Sequence, residues 1–248
     1  MPNEEDAEKI ICDLFSYQAP IVFITGRFGF GKTDFSLLIA EILLKNKAIK
    51  KFASNIKVFD AQNLPYTHIT NLVSLKEWLY PKRIPKLFIL DEAGINVDRR
   101  NPLGKINRQI RHLGFLLRKF RGKLIFISQR SKDIESTFAD TDIWLATFKK
   151  LSKTEALLVS NVYEEPFYIS DIPRTSIKFD TYDIAPFTTE PSYDELEAQS
   201  EERKILYEWL ECGSYGKVAK KHGLFTQQVK RIVLEQVKAL LNSRLMEE

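Results

Sequence analysis

The eight residues Gly26-Arg27-Phe28-Gly29-Phe30-Gly31-Lys32-Thr33 constrain this chain more than any other stretch. They match the spacing GxxxxGK[ST], in which a loop curls its backbone around phosphate oxygens. Such a curl needs several N–H groups pointing inward, and backbone conformations that glycine accepts. A strand must enter the loop and a helix must leave it, because the helix N-terminus adds the positive end of its dipole. Both flanks are present. Residues 21–25 (IVFIT) form a short apolar β-branched run, read as a buried strand, and residues 32–47 read as a helix. The ligand expected is ATP with Mg2+. Gly26, Arg27, Phe28, Gly29, Phe30 and Gly31 would line the phosphates, Lys32 would reach the β- and γ-phosphates, and the Thr33 hydroxyl would bind the metal.

A second segment supplies carboxylates. Leu87-Phe88-Ile89-Leu90 is a buried strand that delivers Asp91 and Glu92 at its end. One carboxylate beside the loop can hold Mg2+, and the other can orient or deprotonate an attacking water. Asp91 is assigned to the metal and Glu92 to the water; the competing role for Glu92 is to cap the next turn. A third strand, residues 124–128 (LIFIS), ends at Gln129. A polar amide there can hydrogen-bond both the γ-phosphate and the lytic water, or merely satisfy loop backbone.

The rest of the chain fits around these pieces. Residues 4–16 have helical apolar spacing, and a second strand is expected within 51–59. Residues 74–80 read as a short helix, 106–120 as another, and 143–148 as a further strand. Strands alternating with helices predict an α/β fold, a mainly parallel sheet with flanking helices. Beyond residue 150 the pattern changes to a hairpin over 156–162 and 166–169, then an extended segment over 175–185. A Thr/Pro/Ser/Glu-rich stretch follows, and residues 201–248 are helical throughout. The division expected is an ATPase domain over 1–189, a linker over 190–200 and a small all-α domain over 201–248. No run approaches the ~18 apolar residues of a membrane helix, and no signal peptide is seen. Cys12 and Cys212 have no partners at metal-binding or disulfide spacing. A reducing, cytoplasmic setting follows from that reading.

The ordered set GRFGFGKT, LFILDEA and FISQRSKDI resembles the HerA/FtsK superfamily of DNA-pumping ATPases, over about residues 20–150. It is most similar to the small members in archaeal viruses and plasmids and to the Zot-like proteins of filamentous phages. The resemblance implies a RecA-like sheet, a hexameric homo-oligomeric ring and double-stranded DNA through its centre. A capsid or membrane-associated portal protein is a further partner it implies. It also implies an arginine that reaches a neighbouring subunit's γ-phosphate. Arg118, upstream of the strand ending in Gln129, inherits that role; Arg111 and Arg121 stay as alternatives.

Charge is unevenly placed. The net charge is only +4, which says little by itself about nucleic acid. Yet no acidic residue lies between Asp98 and Asp133, a span that holds eleven Lys and Arg residues. This reads as an electrostatic track for phosphates, or as a solvated helix face. In the tail, Ser214 can cap one helix, Ala219 permits close helix approach, Gly223 supplies a turn, and Val229 and Ile232 face inward. That spacing resembles a helix-turn-helix. Lys217, Lys220, Lys221, Lys230 and Arg231 suit a DNA backbone, and Thr226, Gln227, Gln228 and Lys230 sit where base edges are read. An oligomerisation bundle is the competing reading, since the apolar stripe continues through Val233, Val237, Leu240 and Leu241.

Three functions compete on this reading. The favoured one is ATP-driven DNA translocation for genome packaging or DNA transfer. The second is an ATP-switched DNA-binding protein such as a replication initiator or regulator. The third, a nucleotide or sugar kinase, is disfavoured by the Asp91-Glu92 pair and the lack of an evident lid.

Overall fold

The computed structural model describes residues 4–16, 21–59, 61–80, 84–91, 120–129, 144–161, 163–181, 187–188 and 201–245. Its centre is an eight-stranded sheet. The strands are β1 (Ile21–Gly26), β2 (Lys51–Ser54), β3 (Tyr66–His68), β4 (Lys86–Leu90), β5 (Gly122–Ile127), β6 (Trp144–Lys150), β7 (Ala156–Ser160) and β8 (Phe167–Ile169). Their spatial order is β3-β2-β4-β5-β1-β6-β7-β8. β3 through β6 run parallel, and β7 and β8 close the edge as an antiparallel meander. The apolar runs explain the centre: every residue of β4 is buried, as are the first five of β1. Strands with no polar alternation must be covered on both faces. Phe23 and Phe126, in register on β1 and β5, stack at 5.5 Å between ring centroids.

Among the described residues, two α-helices flank this sheet, α1 (Glu4–Ser16) and α2 (Lys32–Lys45). Ile11, Leu14 and Phe15 of α1 join the same core as Phe35, Leu38, Ile39 and Leu43 of α2. Phe35 meets Phe148 of β6 edge-on at 5.2 Å. Each such buried side chain contributes roughly 1.5–3 kcal/mol over its exposed state, so α2 is anchored along the face that carries the phosphate loop.

The chain divides into two compact units, residues 1–70 with 82–188, and residues 71–81 with 189–248. The second contains α3 (Leu72–Leu79), α4 (Glu201–Cys212), α5 (Tyr215–His222) and α6 (Thr226–Leu245). Asn71 starts α3 by accepting the Ser74 N–H at 2.8 Å. Ser214 caps α5, and Gly223, left-handed at φ 65°, ends it. Ile205, Leu206, Val218, Ala219, Val229, Val233 and Val237 form the core of α4, α5 and α6. α3 packs on α4: Lys76 Nζ donates to the Leu210 carbonyl at 3.0 Å, Arg203 pairs with Glu77 at 3.4 Å, and Tyr80 lies edge-on to Trp209.

The sequence reading and the structure part in several places. β3 was not expected; its Tyr-Thr-His run is too short to show a pattern. The helix expected at 74–80 begins two residues earlier, at its Asn71 cap. Of the extended segment expected over 175–185, residues 175–181 are described, and Phe179 bridges to Val58. Phe187 packs against Phe88 at 5.8 Å and Thr188 bonds to Thr70, so the first unit reaches residue 188. Of the helix expected over 106–120, all but residue 120 lies outside the described residues, as does the linker.

Candidate functional site

β1 delivers the chain to Gly26, and the loop ends at Gly31, the N-cap of α2. Gly26, Gly29 and Gly31 all hold positive φ, at 143°, 79° and 71°. Side chains rarely adopt such conformations, which is why the spacing demands glycine there. A Cβ on Gly26 would also lie 2.7 Å from the Lys150 carbonyl oxygen, so β6 presses directly on the loop. Gly31 has no side chain to cap α2, so the orphan amides of the first turn are those a phosphate can take. Lys32 Nζ reaches back to the Arg27 carbonyl at 3.1 Å, which holds the ammonium over the loop. Arg27 and Gly29 are exposed, Phe30 is half-buried, and Phe28 projects with 87% of its surface exposed.

A hydrogen bond joins the end of the loop to the carboxylate strand. Thr33 Oγ1 donates to Asp91 Oδ2 at 2.6 Å across 58 positions of sequence. These two hard oxygen donors, side by side at the start of a phosphate-cradling helix, fit Mg2+, which takes few protein ligands and fills its octahedron with phosphate oxygens and water. β5 lies between β1 and β4, so exposed Gln129 emerges from the sheet between the loop and Asp91. The Ser128 N–H donates to the Ile24 carbonyl at 3.0 Å and ties that strand end to β1. Thr33, Asp91 and Gln129 thus all sit at the carboxyl ends of parallel strands or just beyond them, where open α/β sheets bind ligands.

Glu92, Arg111 and Arg118 lie outside the described residues. Arg121 is exposed, at φ 52°, and opens β5. The other end of that strand, Ile127, lies about 20 Å away at ~3.3 Å per residue, and Gln129 follows it.

Two residues of the site escaped the sequence reading. Asn55, fully buried at the end of β2, grips Asp91 from both sides. Its Oδ1 accepts the Asp91 N–H at 2.8 Å, and its Nδ2 donates to the Asp91 carbonyl at 3.2 Å. That carbonyl belongs to the peptide joining Asp91 to Glu92. His68 Nε2 lies 3.2 Å from the Asn55 carbonyl. The available signal was a polar residue at the carboxyl end of an apolar strand. Lys150, the residue opposite Gly26 in register, is 2% exposed. Its Nζ donates to the Lys153 carbonyl at 3.0 Å and stands 4.9 Å over the Phe35 ring. Burial pushes its amine down to about 8, against the pull of Asp34 and Glu155. Burial likewise raises the Asp34 carboxyl, opposed by the Thr175 N–H.

In the second unit, Lys217, Lys220, Lys221, Thr226, Gln227, Gln228, Lys230 and Arg231 are all exposed on α5 and α6. Lys221 is paired with Glu208 at 2.6 Å, and Arg231 stands 3.9 Å from Glu235. The Gln228 Oε1 accepts the Phe225 N–H at 2.8 Å.

No protein-family model matches the sequence, and none of the curated proteins matches it. Among solved structures, the chain is similar to the genome packaging NTPase B204 of Sulfolobus turreted icosahedral virus 2, bound to ATP-gammaS. The identity is 13% over 62% of this chain and 98% of that one, with a TM-score of 0.46. The N-terminal domain of zonular occludens toxin from Neisseria meningitidis matches at 19% identity over 66% of this chain and 96% of that one, TM-score 0.42. The cytoplasmic domain of the Thermomonospora curvata Type VII secretion ATPase EccC matches at 12% identity over 66% and 24%, TM-score 0.43. No helix among the described residues is long and apolar enough to cross a membrane.

Proposed function

We propose that this chain is a P-loop ATPase that hydrolyses Mg-ATP to move double-stranded DNA, working as a homo-oligomeric ring in the cytoplasm. The observation that carries the ATPase reading is the Thr33–Asp91 hydrogen bond, which joins the phosphate loop to the carboxylate strand. In this reading the loop amides and Lys32 hold the β- and γ-phosphates. Thr33 and Asp91 hold Mg2+, which when bound neutralises charge developing on the phosphoryl group. Glu92 takes a proton from the attacking water, Gln129 orients that water, and Arg118 of a neighbouring subunit stabilises the transition state. The helices α5 and α6 act as a helix-turn-helix on DNA. Their support is the Ser214 cap, the left-handed Gly223 turn and a shared core in which Ala219 is buried. The cargo in mind is a viral or mobile-element genome, with a capsid or membrane portal as a further partner.

The exposed cations of α5 and α6 also favour a second reading, an ATP-switched DNA-binding protein with slow turnover. ATP hydrolysis measured with and without linear duplex DNA separates the two. A translocase should accelerate with duplex and slow when the ends are blocked. A switch should bind duplex without acceleration. Glu92→Gln should bind ATP and hydrolyse none; unchanged hydrolysis in that variant would remove the ATPase assignment of the carboxylate pair.

A further inference from the structure

Phe225 is exposed at a place where the fold does not need it. Its side chain is 79% exposed, while Leu224 beside it packs against the helical core. The surrounding backbone is fixed. The Leu224 N–H donates to the Ala219 carbonyl at 2.9 Å, and the Phe225 carbonyl accepts the N–H groups of Gln228 and Val229 at 2.9 and 3.2 Å. The Gln228 side chain returns to the Phe225 N–H at 2.8 Å. This is the reciprocal bond of a capping box, so the Gln228 carboxamide oxygen is engaged in starting α6. An aromatic ring is therefore held outward, on a rigid helix start, with exposed Thr226 and Gln227 following it.

The surface around it is cationic through exposed Lys217, Lys220 and Lys230, while Lys221 pairs with Glu208 and Arg231 stands beside Glu235. From Gly213 to Leu234 the sequence contains no Asp or Glu, and it contains Lys217, Lys220, Lys221, Lys230 and Arg231. A partner for this face must be a polyanion with an apolar spot. Duplex DNA has that chemistry in its major groove, where the thymine C5-methyl stands among polar base edges. The start of the second helix of such a pair is also the part that enters the groove.

We propose that Phe225 contacts a thymine methyl group in the major groove, flanked by Thr226 and Gln227, while Gln228 holds the helix start and reads no base. The proposal rests on the DNA-binding reading of the tail and names the base chemistry which that reading left open.

The test uses the full-length protein and a duplex enriched by it from a randomised pool. Copies of that duplex carrying deoxyuridine at single thymidine positions lack only the methyl group. The wild type should bind at least one copy about tenfold more weakly, the size of a mismatched base pair. Phe225→Ala should bind the thymidine and deoxyuridine duplexes alike, with an unchanged salt slope because no cation is lost. Gln228→Ala should keep the discrimination. Equal binding of both duplexes by the wild type overturns the proposal, as does discrimination that survives in Phe225→Ala. So does a fall in oligomer mass in Phe225→Ala with DNA binding intact, which would make this residue a contact between copies. If the wild type enriches no duplex at all, the DNA-binding reading fails first, and the proposal falls with it.

Discussion

Asn55 shows how a residue with no chemistry of its own can hold a catalytic strand end in place. Its amide bonds both peptide groups of Asp91, so it sets the direction in which the chain leaves β4 toward Glu92. Removing that amide leaves two buried backbone groups short of a partner, at about 1–3 kcal/mol. Asn55→Ala should therefore lower kcat roughly tenfold or more with little change in KM for ATP, because the phosphate loop is untouched. A raised KM with normal kcat in steady-state kinetics would show that Asn55 serves binding instead. Lys150 makes a different prediction, about pH. Below pH 8 its amine is protonated in both folded and unfolded chains. Burial lowers the folded value from 10.5 to about 8, so between those values the unfolded chain holds a proton that the folded chain lacks. Stability should then rise with pH across that window, by no more than about 3 kcal/mol per lysine. Lys123, also lowered to about 8 by burial, acts in the same sense. Urea midpoints of wild type and Lys150→Met at pH 7.5 and 9.5 check this. The rise should shrink by about half in the variant, and an equal rise in both would show that Lys150 carries none of it. The pairing of Thr33 with Asp91 was legible in the sequence because the spacing of the two segments marks it. Asn55 and Lys150 were not, because their roles arise from the strand pairing that buries them.

The strands and helices of the site were legible where apolar runs are continuous. Residues 4–16, β1, β4 and the β7–β8 hairpin need no knowledge of their neighbours. α3 was visible as a helix, but its association was not. Its charged residues Lys76 and Glu77 are only 9% and 7% exposed. Their partners, the Leu210 carbonyl and Arg203, lie more than 120 positions away on α4. Tyr207 of α4 is pushed up to about 12, first by burial and then by the nearby Glu77 carboxylate. Cutting the chain at residue 200 would remove every one of these partners and leave Glu77 without its cation. The truncated protein should lose stability by a few kcal/mol, as broken buried networks do. Hydrogen exchange of the α3 amides measures it directly: exchange over Leu72–Leu79 should quicken markedly without the tail. Unchanged protection would mean that α3 is held by other contacts. For the same reason DNA binding is better tested by substituting Lys217, Lys220 and Lys230 than by deleting the helices that bear them.

At the scale of the whole molecule, the order of strands along the chain, β3 apart, was legible and their order across the sheet was not. Periodicity marks a strand but not its neighbour. The insertion of β5 between β1 and β4 is what brings Gln129 to the same end of the sheet as the loop and Asp91. The same strand carries Arg121 at its opposite end, so one subunit's phosphate loop and that arginine are separated by the length of the sheet. In the proposed ring, Arg121 would therefore act on a neighbour's site rather than its own, as a head-to-tail interface allows. Arginine fingers contribute on the order of a thousandfold or more in rate. Arg118→Ala and Lys32→Ala should each abolish turnover when assembled alone. Mixed before assembly in equal amounts, they should regain it at about a quarter of the interfaces, those pairing an intact Lys32 with a neighbour's intact Arg118. ATP hydrolysis of the mixture, with mass measured in solution to confirm co-assembly, decides the matter. Co-assembled mixtures that stay inactive would place Arg118 in its own subunit's site or outside the reaction. Repeating the mixture with Arg111→Ala or Arg121→Ala in place of Arg118→Ala identifies the finger, since only the variant lacking it loses activity alone and regains it with Lys32→Ala.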